Sequence, residues 1–188
     1  MPLSRNKPIV CPVLIGRADD LTALHVLIDQ AKSGQGQVAL ISGEAGIGKS
    51  RLVAEGKTYA AEHGFRHLQG NCFQGDISCP YAPLLDLLRT HFANKSKTEI
   101  ATELRPFARE FVQLVPDLVP QLPESAPTPP LTPLEFEQEK RRLFEALTRW
   151  FTGLAAKQPV LLIIEDVHWS DDTSLEFLHY LARRCAAH

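Results

Sequence analysis

The amino-acid sequence predicts an α/β fold in which helices cover a parallel β-sheet. Short apolar runs of strand length alternate with longer segments that place apolar residues on one helical face. One run, residues 160–164, is continuously apolar, which is typical of a strand covered on both faces in a parallel sheet. The 188 residues, 44% apolar and 22% charged, have the composition of one globular domain and exclude disordered, collagen-like and coiled-coil chains.

The predicted elements follow one another along the whole chain. Residues 1–12 are expected to form an N-terminal arm, and residues 13–188 one domain. Strands are predicted over residues 38–41, 65–70 and 160–164. Helical patterns cover residues 21–28, 49–63, 84–92, 99–115, 133–158 and 175–182. Residues 116–133 hold seven of the fourteen prolines and are expected to form an extended surface loop.

Capping and breaking residues predict where several helices start, bend or stop. Thr132 as N-cap, with Pro133 at the first helical position, is a strong helix start. Pro106 predicts a kink in the helical segment around it, because proline removes a backbone donor and clashes with the preceding turn. Ser170 or Asp172 is predicted to be the N-cap of the last helix.

A glycine-rich segment, residues 43–50, matches the pattern G-x-x-x-x-G-K-[ST] at every fixed position. Its glycines allow successive backbone N–H groups to point into one anion-sized concavity, to which the following helix adds its positive dipole end. Lys49 supplies a positive charge for the β- and γ-phosphates of a nucleotide, and Ser50 a hydroxyl for Mg²⁺. The residues expected to bind the nucleotide here are Gly43, Glu44, Ala45, Gly46, Ile47, Gly48, Lys49, Ser50 and Arg51.

Two carboxylates, Glu165 and Asp166, directly follow the apolar run 160–164. A buried strand that ends in acids would place them beside the phosphates, where a hard cation is held. One acid, together with Ser50, is expected to hold Mg²⁺, and the other to orient or deprotonate the attacking water. The sequence leaves open which of the two acids has which role.

Charge and composition exclude several classes of function. The formal charge of −2, from 20 basic and 22 acidic side chains, argues against direct nucleic-acid binding by this chain. No apolar stretch is long enough for a signal-peptide core or for the ~18 residues of a membrane span. Four cysteines without a CxxC pair favour reduced thiols in a cytoplasmic protein over a disulfide framework or a zinc site.

Three segments together resemble the AAA-type ATPase domain of STAND P-loop NTPases. They are GEAGIGKSRLV at residues 43–53, IIEDVHWSDDTSLEFLHYLARR at residues 163–184 and LIGRADDL at residues 14–21. The combination is similar to the ATPase module of large ATP-binding LuxR-family transcriptional regulators, which is itself similar to origin-recognition-type AAA domains. The resemblance implies a three-layer P-loop NTPase fold of the AAA/ASCE type, with ATP and Mg²⁺ as ligands.

The resemblance also implies individual roles outside the glycine-rich segment. The backbone of Ile15, Gly16 and Arg17 would lie near the adenine. Glu165 would be the magnesium-associated acid and Asp166 the water-activating acid, although many AAA proteins carry Asp then Glu at these two positions. The reverse assignment therefore also stays open.

The sheet implied by the resemblance is ordered 5-1-4-3-2, with a further strand between the phosphate-loop strand and the acidic strand. Because the sequence ends one helix after the acidic strand, the domain is expected to be C-terminally truncated and to need self-association or missing C-terminal modules. The expected function is Mg²⁺-dependent ATP binding, with slow hydrolysis as a regulatory switch in the completed domain. The alternative is a non-hydrolysing nucleotide-binding regulatory module or a fragment of a transcriptional regulator. A small-molecule kinase is disfavoured, since no arginine-rich lid segment is evident.

Overall fold

The computed structural model describes residues 17–115 and 133–185, which form a mixed α/β fold with a parallel sheet. The helices are α1 (Ala18–Lys32), α2 (Lys49–Glu62), α3 (Ala82–Phe92), α4 (Lys97–Leu104), α5 (Ala108–Leu114), α6 (Pro133–Ala155) and α7 (Asp172–Cys185). The strands are β1 (Arg66–Asn71) and β2 (Val160–Glu165), and 3₁₀ turns occupy Gln74–Ser78, Arg105–Phe107 and Val167–Trp169. The predicted arm and nearly all of the predicted proline-rich loop lie outside the described residues.

The two strands run parallel, and their register is fixed along the full length of both. Arg66 is opposite Val160 at one end, and Asn71 is opposite Glu165 at the other. One further backbone hydrogen bond extends the ladder beyond the carboxyl end, from the Cys72 N–H to the Glu165 carbonyl at 3.1 Å. This register brings the residues at the carboxyl ends of β1 and β2 to the same edge of the sheet.

The main core lies where helices α3 to α7 pack against the two strands. Burial of aliphatic and aromatic side chains from these elements supplies most of the driving force for folding. Trp150 of α6 is at the centre of an aromatic group that includes Phe92, Phe111 and Phe151. A smaller apolar cluster, formed by Ile28, Ala60 and Phe65, holds α1 against α2 and the start of β1.

The predicted strand over residues 38–41 is absent from the structure. These residues have no regular secondary structure, and the side chains of Val38 and Leu40 are 57% and 82% exposed. An apolar run becomes a strand only when a neighbouring backbone pairs with its N–H and C=O groups. No strand pairs with residues 38–41 in the part of the chain that the structure describes, so this prediction is wrong here.

The apolar run of β2 is also less covered than predicted. All six of its residues, Val160–Glu165, keep partial exposure. Strand β1 occupies one edge of β2, and none of the described residues forms a strand along the other edge. A two-stranded sheet is smaller than the three-layer arrangement implied by the resemblance, which therefore stays a prediction.

The helix boundaries follow the capping chemistry closely, with two differences. Helix α6 begins at Pro133 as predicted, and the segment with Pro106 breaks into α4, a 3₁₀ turn and α5. The N-cap of α7 is neither Ser170 nor Asp172: the Asp171 carboxylate accepts a hydrogen bond from the Ser174 backbone N–H at 2.8 Å. At α4, Ser96 forms a reciprocal capping box with Glu99 that starts the helix two residues earlier than predicted.

Candidate functional site

The glycine-rich segment forms an open loop directly before α2. Gly48 is the N-cap of that helix with φ of 95°, and Gly46 has φ of 80°, a region that favours glycine over any residue with a side chain. A Cβ atom placed on either glycine would meet no other atom within 4 Å. Glycine is therefore favoured at these positions by the backbone conformation and not by close packing. The space beside both glycines is open to a ligand.

The side chain of Lys49 folds back over this loop. Its Nζ atom donates hydrogen bonds to the carbonyl oxygens of Gly43 at 2.8 Å and Glu44 at 2.9 Å. Ser50, the next residue, is exposed at the first turn of α2. The ammonium and the hydroxyl thus both lie at the N-terminal end of α2, where the helix dipole favours an anion.

The remaining predicted loop residues have simpler surroundings. Ala45 is exposed, and the Ile47 side chain is 50% exposed. Arg51 forms a salt bridge with Glu55 one turn further along α2. Among the residues expected near the adenine, Ile15 and Gly16 lie outside the described residues. Arg17 precedes α1 and contacts Asp20 at 3.5 Å.

The two predicted acids differ sharply in environment. Glu165 is the last residue of β2, is partly buried, and accepts a hydrogen bond from the Gln69 side-chain amide at 3.0 Å. Asp166 is exposed and adopts the left-handed conformation with φ of 54°, which aspartate tolerates better than most residues. Its carbonyl oxygen accepts a hydrogen bond from the Trp169 backbone N–H at 2.8 Å, which closes the turn after β2.

A chain of polar side chains connects Glu165 to three other elements. The ammonium of Lys57, on α2, donates to the Gln69 carbonyl oxygen at 2.6 Å. The Gln69 amide also donates to Asn71 at 3.2 Å, and Asn71 in turn donates to the carboxylate of Asp86 on α3 at 2.8 Å. Lys57, Gln69, Asn71 and Asp86 are not among the site residues predicted from the sequence. Their signal was weak: polar residues at alternate positions of a half-buried strand, and one acid within the apolar face of a helix.

A buried polar group lies behind the acidic turn. Cys72 is 2% exposed, and burial raises the pKa of its thiol; a hydrogen bond with Ser170 acts in the opposite direction, and the nearby carboxylates of Asp166 and Asp171 raise the pKa further. Asp171 is itself buried and holds Ser174 through both its carboxylate oxygens. These contacts fix the path of the chain from the turn at residues 166–169 into α7.

The glycine-rich loop and the acidic pair each carry donors whose chemistry fits a nucleotide or a hard cation. A backbone loop at a helix N-terminus, with a lysine and a serine beside it, is suited to phosphate oxygens. Mg²⁺ is commonly held by one or two carboxylates, water and substrate phosphates, and Ser50, Glu165 and Asp166 offer oxygen donors of that kind. In residues 17–115 and 133–185, no group of three or more His, Cys, Asp or Glu side chains could hold a metal ion.

Comparison with known proteins identifies the family. Residues 13–187 match the family model described as "AAA ATPase domain". The chain belongs to this AAA ATPase domain family. Membership supports nucleotide binding as the general property of the domain and agrees with a loop built around Lys49.

A curated relative of this AAA ATPase domain is the uncharacterized protein R02095 of Rhizobium meliloti (strain 1021), which is 29% identical over 180 residues. The match covers 90% of this chain and 17% of that protein, so the chain spans about a sixth of the length of its relative. No solved structure matches the chain. None of the helices in the described ranges is both long and apolar enough to cross a membrane.

Proposed function

We propose that this AAA ATPase domain binds ATP with Mg²⁺ at residues 43–50 and the acidic pair Glu165 and Asp166, and that it hydrolyses ATP slowly as a regulatory switch. The observation that carries the proposal is the loop before α2. Its glycines have backbone angles that favour an anion-binding curl, and Lys49 lies over the loop with its ammonium bonded to carbonyl oxygens of Gly43 and Glu44.

The contacts of Lys49 explain how the loop would receive phosphates. A lysine ammonium has three N–H donors and no acceptor, and here two neutral carbonyl oxygens accept from it. A phosphate oxygen adds the attraction between opposite charges to the hydrogen bond, which a neutral carbonyl acceptor does not. Phosphate oxygens would therefore compete well for the ammonium, while the backbone N–H groups of the loop and Ser50 supply further donors.

We assign the acids from their environments. Glu165 is partly buried and oriented by Gln69, which suits a carboxylate that holds Mg²⁺ through water. Asp166 is exposed, which suits a group that orients or deprotonates a water molecule. Mg²⁺ bound at this site would neutralise phosphate charge. The reverse assignment of the two acids is the alternative.

Calorimetric titration of the 188-residue chain with ATP and Mg²⁺ tests the binding proposal. We expect saturable binding that the Lys49→Ala variant loses, because that variant lacks the ammonium over the loop. Lys32→Ala, which removes an exposed lysine at the end of α1, is the matched control and should bind as the unmodified chain does. Unchanged affinity in Lys49→Ala, or no binding by a folded and monodisperse chain, would contradict the proposal.

A nucleotide-binding regulatory module without turnover is the second candidate. Phosphoryl transfer needs cationic groups that stabilise charge on the transferred phosphoryl group. The ammonium of Lys57 is linked to Glu165 only indirectly, through the Gln69 side chain to which it donates. Sustained phosphate release that disappears in Asp166→Asn, with ATP binding retained, would exclude this candidate. Binding without phosphate release would favour it over the ATPase.

A further inference from the structure

We propose that Gln69, itself oriented by Lys57, is a positioning residue for the Glu165 carboxylate and thereby sets the Mg²⁺ requirement of nucleotide binding. This inference rests on the proposed function, since it concerns the same site. It assigns a role to two residues outside both the glycine-rich loop and the acidic pair.

The strand register places Gln69 within reach of the acid. Gln69 lies opposite Ile163 in the parallel ladder, two residues before Glu165 on the neighbouring strand. Its amide Nε2 is 3.0 Å from the Glu165 Oε1 atom. Gln69 and Glu165 are both partly buried, so bulk water competes less for this bond than it would at an exposed site.

The orientation of the Gln69 amide follows from its three partners. A lysine ammonium only donates, so the atom 2.6 Å from Lys57 Nζ has to be the carbonyl oxygen of Gln69. Both hydrogens of Nε2 then point to acceptors, Glu165 Oε1 and Asn71 Oδ1. Reversing the amide would bring nitrogen to the ammonium and oxygen to two acceptors. Lys57 therefore fixes which end of the amide faces the acid.

The opposite side of the network is anchored to α3. The backbone N–H of Asn71, at 3.0 Å, and its side-chain amide, at 2.8 Å, both donate to the same oxygen of Asp86. Because the Asn71 amide nitrogen is committed to Asp86, its oxygen is left to accept from Gln69. Gln69 is thus held from α2 on one side and from α3 on the other, which leaves it little freedom to turn away from Glu165.

A fixed carboxylate matters for a small cation. Mg²⁺ demands near-ideal octahedral geometry, so a carboxylate held in one orientation needs less reorganisation to serve it. Removing a group that hydrogen-bonds to a metal-associated residue commonly lowers the metal affinity by about 10–100-fold. Lys57 lies eight residues after Lys49 on α2, about 12 Å along the helix axis. Helix α2 therefore carries Lys49 beside the glycine-rich loop and, two turns later, Lys57, which orients Gln69 and through it Glu165.

The experiment measures ATP binding by the 188-residue chain as a function of Mg²⁺ concentration, and again in EDTA without metal. We compare Gln69→Leu, Lys57→Met and the conservative Lys57→Arg. Gln35→Leu, which changes an exposed glutamine after α1, is the control. Binding of Mn²⁺ to the ATP-loaded chain, followed by electron paramagnetic resonance, reports on the metal without any turnover.

Gln69→Leu and Lys57→Met should raise the Mg²⁺ and Mn²⁺ concentrations needed for half-saturation about 10-fold or more, with unchanged metal-free ATP affinity. Lys57→Arg should keep the half-saturating metal concentrations close to those of the unmodified chain, because a guanidinium also donates to the Gln69 oxygen. Unchanged metal dependence in either variant that still binds ATP would overturn the inference. An equal loss of ATP affinity with and without metal would do the same, since it indicates a purely structural role. Failure of the unmodified chain to bind ATP at all would instead contradict the proposed function.

Discussion

The carboxylate of Glu103 provides a quantitative test of the folded core. It lies on α4 and joins three elements: the His91 Nε2 atom is 2.8 Å from its Oε1, the Trp150 indole N–H donates to Oε1 at 3.0 Å, and the ammonium of Lys95 donates to Oε2. The Glu103 side chain is 20% exposed and that of His91 only 5%. These contacts make the charged form of Glu103 part of the packing between α3, α4 and α6.

The pKa of Glu103 gives the size and the sign of its contribution. Burial raises this pKa, but hydrogen bonds from His91 and Lys95 and their charges outweigh burial and lower it from 4.5 to about 2. Since the folded-state pKa is depressed, the stabilisation is fully present above pH 4.5 and is lost as the pH falls towards 2. At 1.36 kcal/mol per pH unit, this gap corresponds to about 3 kcal/mol, of which about 2 kcal/mol is lost by pH 3.

Urea denaturation of the chain and of Glu103→Gln, between pH 7 and pH 3, measures this contribution. At pH 7 the variant should have a free energy of unfolding lower by about 3 kcal/mol, and at pH 3 the difference should narrow to about 1 kcal/mol. Glu62→Gln removes an exposed carboxylate at the end of α2 and should stay within about 0.5 kcal/mol throughout. A deficit in Glu103→Gln that does not change with pH would refute the reasoning.

Two further substitutions test close packing and capping. A Cβ atom on Gly70 would lie 2.2 Å from a backbone carbonyl oxygen of α3, so Gly70→Ala should lower the free energy of unfolding by about 3 kcal/mol. Gly75→Ala, with nothing within 4 Å, should be nearly neutral in the same denaturation assay, and equal effects would contradict the packing argument. Asp171→Ala removes the N-cap of α7 and leaves the buried Ser174 hydroxyl without its acceptor, which should cost about 2 kcal/mol. The exposed neighbour variant Asp172→Ala should cost about 0.5 kcal/mol in thermal or urea unfolding, and the reverse order would show that the cap is misassigned.

The helices and two of the three strands could be predicted because their signals are local. Pro133 begins α6, since proline at the first helical position lacks only a donor that would be unpaired anyway. The predicted strands at residues 65–70 and 160–164 differ from β1 and β2 by one residue. Each of these signals is contained within a few neighbouring residues, so no knowledge of the tertiary fold was needed.

The failed strand at residues 38–41 shows what local patterns omit. Its apolar residues are as suitable for a strand as those of β2, yet Leu40 is 82% exposed. A strand is defined by pairing with another segment, and pairing depends on which distant residues arrive beside it. In the described structure β2 has such a partner in β1 and residues 38–41 have none, which is why the same pattern gives two outcomes.

One part of the candidate site could be predicted from neighbouring residues, whereas the other part depends on contacts between distant residues. The spacing of residues 43–50 indicates the loop, because every group it needs is supplied within one turn and the helix that follows. The bond between Gln69 and Glu165 joins residues 96 positions apart, so it follows from the parallel register and from no motif. Polar residues on a half-buried strand indicate that partners exist, but only the register identifies them.

The proposed roles of Glu165 and Asp166 rest on backbone geometry and not on their residue types. Successive residues of a strand point to opposite faces, so adjacent carboxylates at a strand end start with different surroundings. Glu165 completes β2 and meets Gln69 from the neighbouring strand, whereas Asp166 leaves the strand through a left-handed turn into solvent. Exchanging the residues, as Glu165→Asp with Asp166→Glu, would shorten the side chain that has to reach Gln69. We therefore expect the exchanged chain to need more Mg²⁺ for ATP binding while its metal-free affinity is unchanged. An exchanged chain with the original Mg²⁺ dependence would instead favour Asp166 as the metal-associated acid.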